Sequence, residues 1–197
     1  MEIKISKLNI KKFFFNNKLI FLFLFISILL YSNAYSNSLT PLEILLSNLV
    51  DASSKDLELL LGIINVFKST SVQVSINLTT IILSIYLISL LLLITTKIDI
   101  KLSKKSYKIY YYEIVDAYFK SLYIIIADFL FKAIYIYFFK SYELNILSAS
   151  YGLIINFIQC FLIFNSLNHK KNKLIFTKVL YILSIIALFA FQLFVLI

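Results

Sequence analysis

Apolar residues in this chain form long uninterrupted runs, unlike the alternating or one-faced patterns of soluble domains. The longest run covers residues 76–96, INLTTIILSIYLISLLLLITT, which contain no charged residue and are followed directly by Lys97. A helix of this length spans ~30 Å, the thickness of the hydrocarbon core of a bilayer. Because its side chains are apolar on nearly every side, no face is left for water. The pattern predicts a transmembrane helix.

Three further apolar runs lie in the second half of the chain, at residues 121–139, 146–165 and 179–197. Each is long enough to cross the apolar layer of a bilayer as a helix. Hydrophobic residues make up 61% of the chain and charged residues 15%, against about 25% charged in a soluble domain. The pattern therefore predicts an all-α integral membrane protein, in which residues 76–197 form a region of four transmembrane helices.

Residues 1–36 have the three-part pattern of a secretory signal peptide. Five lysines and one acid come before an apolar run at residues 19–30. Ala34 and Ser36 are then the small residues that signal cleavage requires at positions −3 and −1. This pattern predicts cleavage after Ser36. The alternative is an uncleaved signal anchor, because Phe13–Phe15 extend the apolar stretch.

Residues 37–75 are predicted to form an extracytoplasmic segment of two short amphipathic helices. The first begins at Thr40, an N-cap residue that is followed by a proline and a capping-box acid, Glu43. The second covers residues 55–68 and has an apolar side opposite a polar one. That apolar side carries Leu57, Leu60, Leu61, Ile64 and Phe67. Two such helices cannot bury their apolar faces alone, so they are predicted either to lie on the outer leaflet or to pack on a partner protein.

Lysines are distributed unevenly between the predicted loops. The basic loops 97–120 and 168–178 hold ten lysines, whereas the predicted outer segments hold three. Because cytoplasmic loops of membrane proteins carry an excess of lysine and arginine, the two basic loops are predicted to be cytoplasmic. The segment 37–75 and the C-terminus are then extracytoplasmic. This layout is typical of a multi-pass protein of a bacterial inner or cell membrane.

The net charge of +9 has two interpretations. In a soluble protein it would favour nucleic-acid binding. Here the lysines cluster beside apolar runs, where they fix orientation and meet anionic headgroups. We therefore expect the lipid bilayer as a partner and no nucleic acid. Cys160 is the only cysteine, which excludes an internal disulfide and a cysteine-based metal site.

The sequence contains no recognisable catalytic or ligand-binding motif. With only two glycines it has no phosphate-binding loop. Paired-histidine, CxxC and GxSxG patterns are also missing, and the single histidine, His169, lies among lysines in a basic loop. The sequence therefore predicts a protein that is not an enzyme and that binds no cofactor or metal.

Asp128 and Lys132 are two charges inside a predicted span, where each costs about 2.5–3.5 kcal/mol. Their spacing of four residues favours an ion pair within one helix. One interpretation is structural, because the pair neutralises itself and faces the bundle. The other is an ion or proton path, with Asn156 and Gln159 of the next span supplying a polar lining.

Ser148 and Gly152 form a different feature of that next span. They are small residues four positions apart, a spacing that lets another helix approach closely. They are predicted to be helix-packing residues.

Two hypotheses about function follow. The first is a non-enzymatic subunit of a membrane protein complex, which assembles with other membrane proteins or with itself. In layout alone, the chain resembles small inner-membrane subunits of secretion and conjugation machines, with an exported N-terminus, outer amphipathic helices and a short cluster of spans. The alternative is a small transporter or channel that uses the intramembrane pair Asp128 and Lys132.

Overall fold

The computed structural model describes residues 10–38, 54–102, 109–140, 146–167 and 174–196, which are helical apart from short connections. Six helices follow one another in these ranges: α1 (Ile10–Ser36), α2 (Ser54–Lys68), α3 (Thr70–Leu102), α4 (Tyr111–Phe139), α5 (Ile146–Leu167) and α6 (Ile175–Leu196). No strand occurs among the described residues. The amphipathic helix predicted to begin at Thr40, and His169, lie outside these ranges.

Helices α1 and α4 pack side by side in the centre of the bundle. Phe21 of α1 contacts Phe119 of α4, with ring centroids 4.6 Å apart. Tyr31 and Phe129 make the next such contact, at 5.3 Å. Because the contacts advance by ten residues on both helices, α1 and α4 run parallel. Ile28 of α1 has no exposed surface and lies in the hydrophobic core cluster of the described residues.

The other long helices alternate in direction around this pair. Contacts of Ser121 with Gln159 and of Phe131 with Tyr151 show that α5 is antiparallel to α4. The end of α3 meets the start of α6, and the end of α1 meets the start of α3. One end of the bundle therefore combines the starts of α1, α4 and α6 with the ends of α3 and α5. Lysines of this end include Lys97, Lys101 and Lys178.

Four helical segments of the described chain are long and apolar enough to cross a membrane: Asn17–Ser36, Thr70–Leu102, Tyr111–Phe139 and Ser150–Leu167. The last three contain the predicted spans 76–96, 121–139 and most of 146–165. The predicted span 179–197 falls in α6, whose described apolar segment, Ile175–Phe191, is shorter. The remaining long apolar helix is the predicted signal peptide.

Helices α3 and α4 continue beyond the apolar runs that predicted them. They leave only residues 103–110 between them, so most of the predicted inner loop 97–120 is helical. The backbone N–H of Tyr110 donates to Glu113 Oε2 at 3.1 Å, which caps the start of α4. Lysine and tyrosine residues can continue a helix into the polar interface, because their apolar stems stay in the apolar layer and their polar tips reach water. A prediction from apolar runs alone therefore gives helices that are too short.

The bundle exposes apolar side chains on its outside, including Ile82, Leu91 and Phe161, each more than 60% exposed. Helix α3 buries few residues in its apolar window, and its buried residues include the polar Ser89, Thr96 and Asp99. Such a large apolar exterior is unusual for a soluble monomer and is compatible with a multi-pass membrane protein.

Candidate functional site

Asp128 and Lys132 form the ion pair that their spacing predicts. Lys132 Nζ lies 2.8 Å from Asp128 Oδ2, within one turn of α4. Asp128 is buried, with 8% of its surface exposed, and the Lys132 side chain is 27% exposed. The second carboxylate oxygen, Oδ1, is buried and has no hydrogen-bond partner in the described part of the chain. The pair is thus neutral in sum but incompletely hydrogen-bonded.

A second pair on the same helix shows what is particular to Asp128 and Lys132. Asp116 and Lys120 have the same order and spacing, and their charged atoms are 2.7 Å apart. Their side chains are 40% and 57% exposed, respectively. The two pairs therefore differ in burial and not in local geometry. Only the buried pair, Asp128 and Lys132, bears a large desolvation cost.

Gln159 belongs to a separate polar contact that joins α4 to α5. Its Nε2 donates to Ser121 Oγ at 3.3 Å, and both residues are buried. Ser121 Oγ in turn donates to the carbonyl of Tyr118 at 2.6 Å. Asp128 lies seven residues after Ser121, which is ~10 Å along the helix. Gln159 therefore hydrogen-bonds α4 at Ser121 and not at the carboxylate of Asp128.

Asn156 is exposed on α5, and its side chain makes no hydrogen bond in the described part of the molecule. It therefore does not line one buried path together with Asp128, Lys132 and Gln159. Gly152 is partly buried, and a Cβ built on it would meet no heavy atom within 4 Å. Ser148 lies in α5, but its side chain is outside the description. No other helix of the described chain therefore packs closely against Gly152, as its predicted packing role would require.

Asp99 is a functional-site candidate that the sequence interpretation missed. It is buried near the end of α3 and accepts hydrogen bonds from Thr177 at the start of α6. Its Oδ2 lies 3.2 Å from the backbone nitrogen and 3.3 Å from the hydroxyl. A carboxylate is favourable there because the first N–H groups of a helix lack partners and the helix dipole is positive. Since 78 residues separate the partners, no local motif reveals this cap.

Metal-binding groups and nucleophilic side chains can also be sought among the described residues. The described residues contain no group of three or more His, Cys, Asp or Glu side chains that could hold a metal. Cys160 is free and buried. No known protein family, curated protein or solved structure matches the chain. An interpretation of function therefore depends on the geometry itself.

Proposed function

We propose that this chain is a non-enzymatic, multi-pass subunit of a membrane protein complex. The observation that carries the proposal is the exposed apolar surface of α2. This surface consists of Leu59, Leu60, Ile63, Val66 and Phe67, each 45–66% exposed. At 15 residues, α2 is ~22 Å long and too short to span a bilayer. The described residues leave this apolar surface exposed, so it is available to a partner.

A partner protein fits this surface better than lipid headgroups do. Amphipathic helices that lie on lipid carry many lysines and arginines on their polar face. Helix α2 contains two lysines, Lys55 and Lys68, and two acids, so its net charge is zero. Lys68 Nζ is also engaged, because it donates to the carbonyl of Ser38. A subunit of a secretion-like or conjugation-like assembly is one version of this proposal.

The orientation we propose places the lysine-rich end of the bundle in the cytoplasm. The alternating helix directions support it, because they bring the start of α1 to the same end as Lys97, Lys101 and Lys178. That end would face the side where positive charge accumulates. Helix α2 would then lie on the extracytoplasmic side, at the opposite end.

We also propose that α1 remains in the mature protein as a signal anchor. Ser27, Ile28 and Ser32 of α1 have no exposed surface, so the helix is part of the core. The predicted cleavage position, Ser36, is helical, and its Oγ lies 3.1 Å from Thr70 Oγ1. Removing residues 1–36 would expose the α4 face that holds Phe119. These contacts favour the anchor alternative over cleavage.

Transport through the Asp128–Lys132 pair is the second candidate function. The observation in its favour is the buried Oδ1 of Asp128, which has no hydrogen-bond partner among the described residues and is available to a water molecule. Two observations count against it. Gln159 is hydrogen-bonded to Ser121 and Asn156 is exposed, so neither lines a path beside Asp128. Asp128→Asn in liposomes provides the test, because unchanged flux would end this candidate.

The subunit proposal is tested by purifying tagged variants from the native host in mild detergent. Ile63→Asn with Val66→Asn should remove a co-purifying protein, because both substitutions place polar groups on the exposed apolar surface. Glu58→Gln with Asn65→Ser is the matched control on the polar side of α2 and should retain that protein. Survival of every partner in the first variant would contradict the proposal.

A further inference from the structure

One face of α5 changes from buried to open along its length. In the half of α5 nearer its end, Gln159, Cys160 and Ile163 lie on this face and are at most 5% exposed. Asn156 precedes these residues by three, four and seven positions, so it lies on the same face of the helix. Yet Asn156 is exposed, and Gly152, one turn earlier, has no neighbour within 4 Å of its Cβ position. In the first half of α5, α4 still contacts Tyr151 and Ile155 is 8% exposed, so the uncovered part of the face is the strip with the exposed Asn156 and the partly buried Gly152.

Asn156 is an unusual residue to leave uncovered at this position. It lies near the centre of a helix that is long and apolar enough to span a membrane. Its carboxamide makes no hydrogen bond in the described part of the chain. Lipid tails offer no hydrogen-bond partner, so an exposed amide at this depth favours association with another polar group.

The chemistry of the uncovered face fits a second copy of the same chain. Copies inserted in one membrane share their orientation, so a two-fold axis along the membrane normal brings each residue to the depth of its counterpart. A carboxamide carries both an acceptor oxygen and two donor hydrogens, so Asn156 can pair with Asn156. Gly152, one turn away in both copies, has no side chain to hold the helices apart.

We propose that the face of α5 formed by Gly152 and Asn156 is an interface between two copies of this chain. This inference rests on the proposed membrane location, and it names a second copy as one partner of the proposed subunit. It requires neither α2 nor the Asp128–Lys132 pair. Self-association can therefore fail while the subunit proposal holds.

The test is disulfide cross-linking in native membranes. The starting variant is Cys160→Ala, which leaves the chain without cysteine. Asn156→Cys in this background should give a disulfide-linked homodimer on oxidation, because a disulfide forms only when the two Cβ atoms come within about 4.5 Å. The matched control is Ile154→Cys, which is two residues away, 54% exposed and on the opposite side of α5. It should remain monomeric.

Each outcome decides the inference. Equal cross-linking of both variants would indicate random collision and would overturn it. An adduct between Asn156→Cys and a different protein would also overturn it, while supporting the subunit proposal. If the Asn156→Cys variant is inserted in the membrane and forms no adduct of any kind, the inference is overturned as well.

A second measurement protects the test against a poorly folding variant. Self-association measured by energy transfer between labelled copies in liposomes should weaken about threefold to tenfold in Asn156→Leu. Asn156→Gln should retain most of it, because the carboxamide is kept. Gly152→Leu should also weaken association, and the Cβ that it adds meets no neighbouring heavy atom within 4 Å in the described part of the monomer. Unchanged association in both Asn156→Leu and Gly152→Leu would overturn the inference.

Discussion

The burial of the Asp128–Lys132 pair leads to a prediction with an internal control. In Lys132→Met, the buried carboxylate loses its described partner, and the free energy of unfolding should fall by about 3–5 kcal/mol. In Asp128→Leu, the cost should be smaller, about 2 kcal/mol, because the long Lys132 side chain is already 27% exposed and can extend toward the interface. The double variant removes both charges and should be near neutral.

The coupling energy between the two residues is the quantity that tests this reasoning. From these values its magnitude should be about 5–7 kcal/mol in the double-mutant cycle. The same cycle on the exposed pair, Asp116→Leu with Lys120→Met, should give about 0.3–0.5 kcal/mol. Spacing and distance are matched between the pairs, so the difference measures burial alone.

Cys160 provides the assay for these stabilities. It is the only cysteine and is 5% exposed, so a thiol-reactive dye labels it only when the bundle opens. The labelling rate is followed in mixed micelles as the fraction of denaturing detergent rises. Equal coupling energies for the two pairs would refute the reasoning, as would a double variant that is as unstable as the sum of the singles.

Three further predictions use the same labelling assay. Asp99→Ala should lower the free energy of unfolding by about 1–2 kcal/mol because α6 loses its cap, whereas Asp99→Asn should recover part of the loss; equal loss in both variants would contradict the capping role. Ile28→Ala should cost about 2–5 kcal/mol because it leaves a cavity beside α4. Leu30→Ala, at a position 50% exposed, should cost little, and equal effects of the two substitutions would contradict a packed α1. Gln159→Leu should cost only about 0.6 kcal/mol, the average for a polar contact between membrane helices, and a cost several times larger would show that its bond to Ser121 is not an ordinary one.

The features that the sequence predicted well are those set by local patterns. Long apolar runs predict the helices that contain residues 76–96 and 121–139, because hydropathy and helix length follow from consecutive residues. The ion pair of Asp128 and Lys132 was equally accessible, since a spacing of four residues fixes it within one helix turn.

The features that the sequence did not predict depend on contacts between distant segments. The capping of α6 by Asp99 joins residues 78 positions apart. Whether Asn156 faces a neighbour or the outside depends on where α6 lies, and periodicity alone placed it beside Gln159. A signal peptide and a core helix can share one apolar pattern. The burial of Ile28 in the bundle supports the proposed signal anchor, and cleavage after Ser36 stays a prediction.

Native mass spectrometry of the tagged, full-length protein, released from its own membranes, tests the central proposal most directly. The proposal predicts a stoichiometric assembly that contains other membrane proteins and an intact 22.9 kDa chain, with α1 retained. Two copies of the chain in that assembly would also agree with pairing through Asn156. A lone monomer that is released without any partner would contradict the proposal and would make flux through Asp128 the next property to measure.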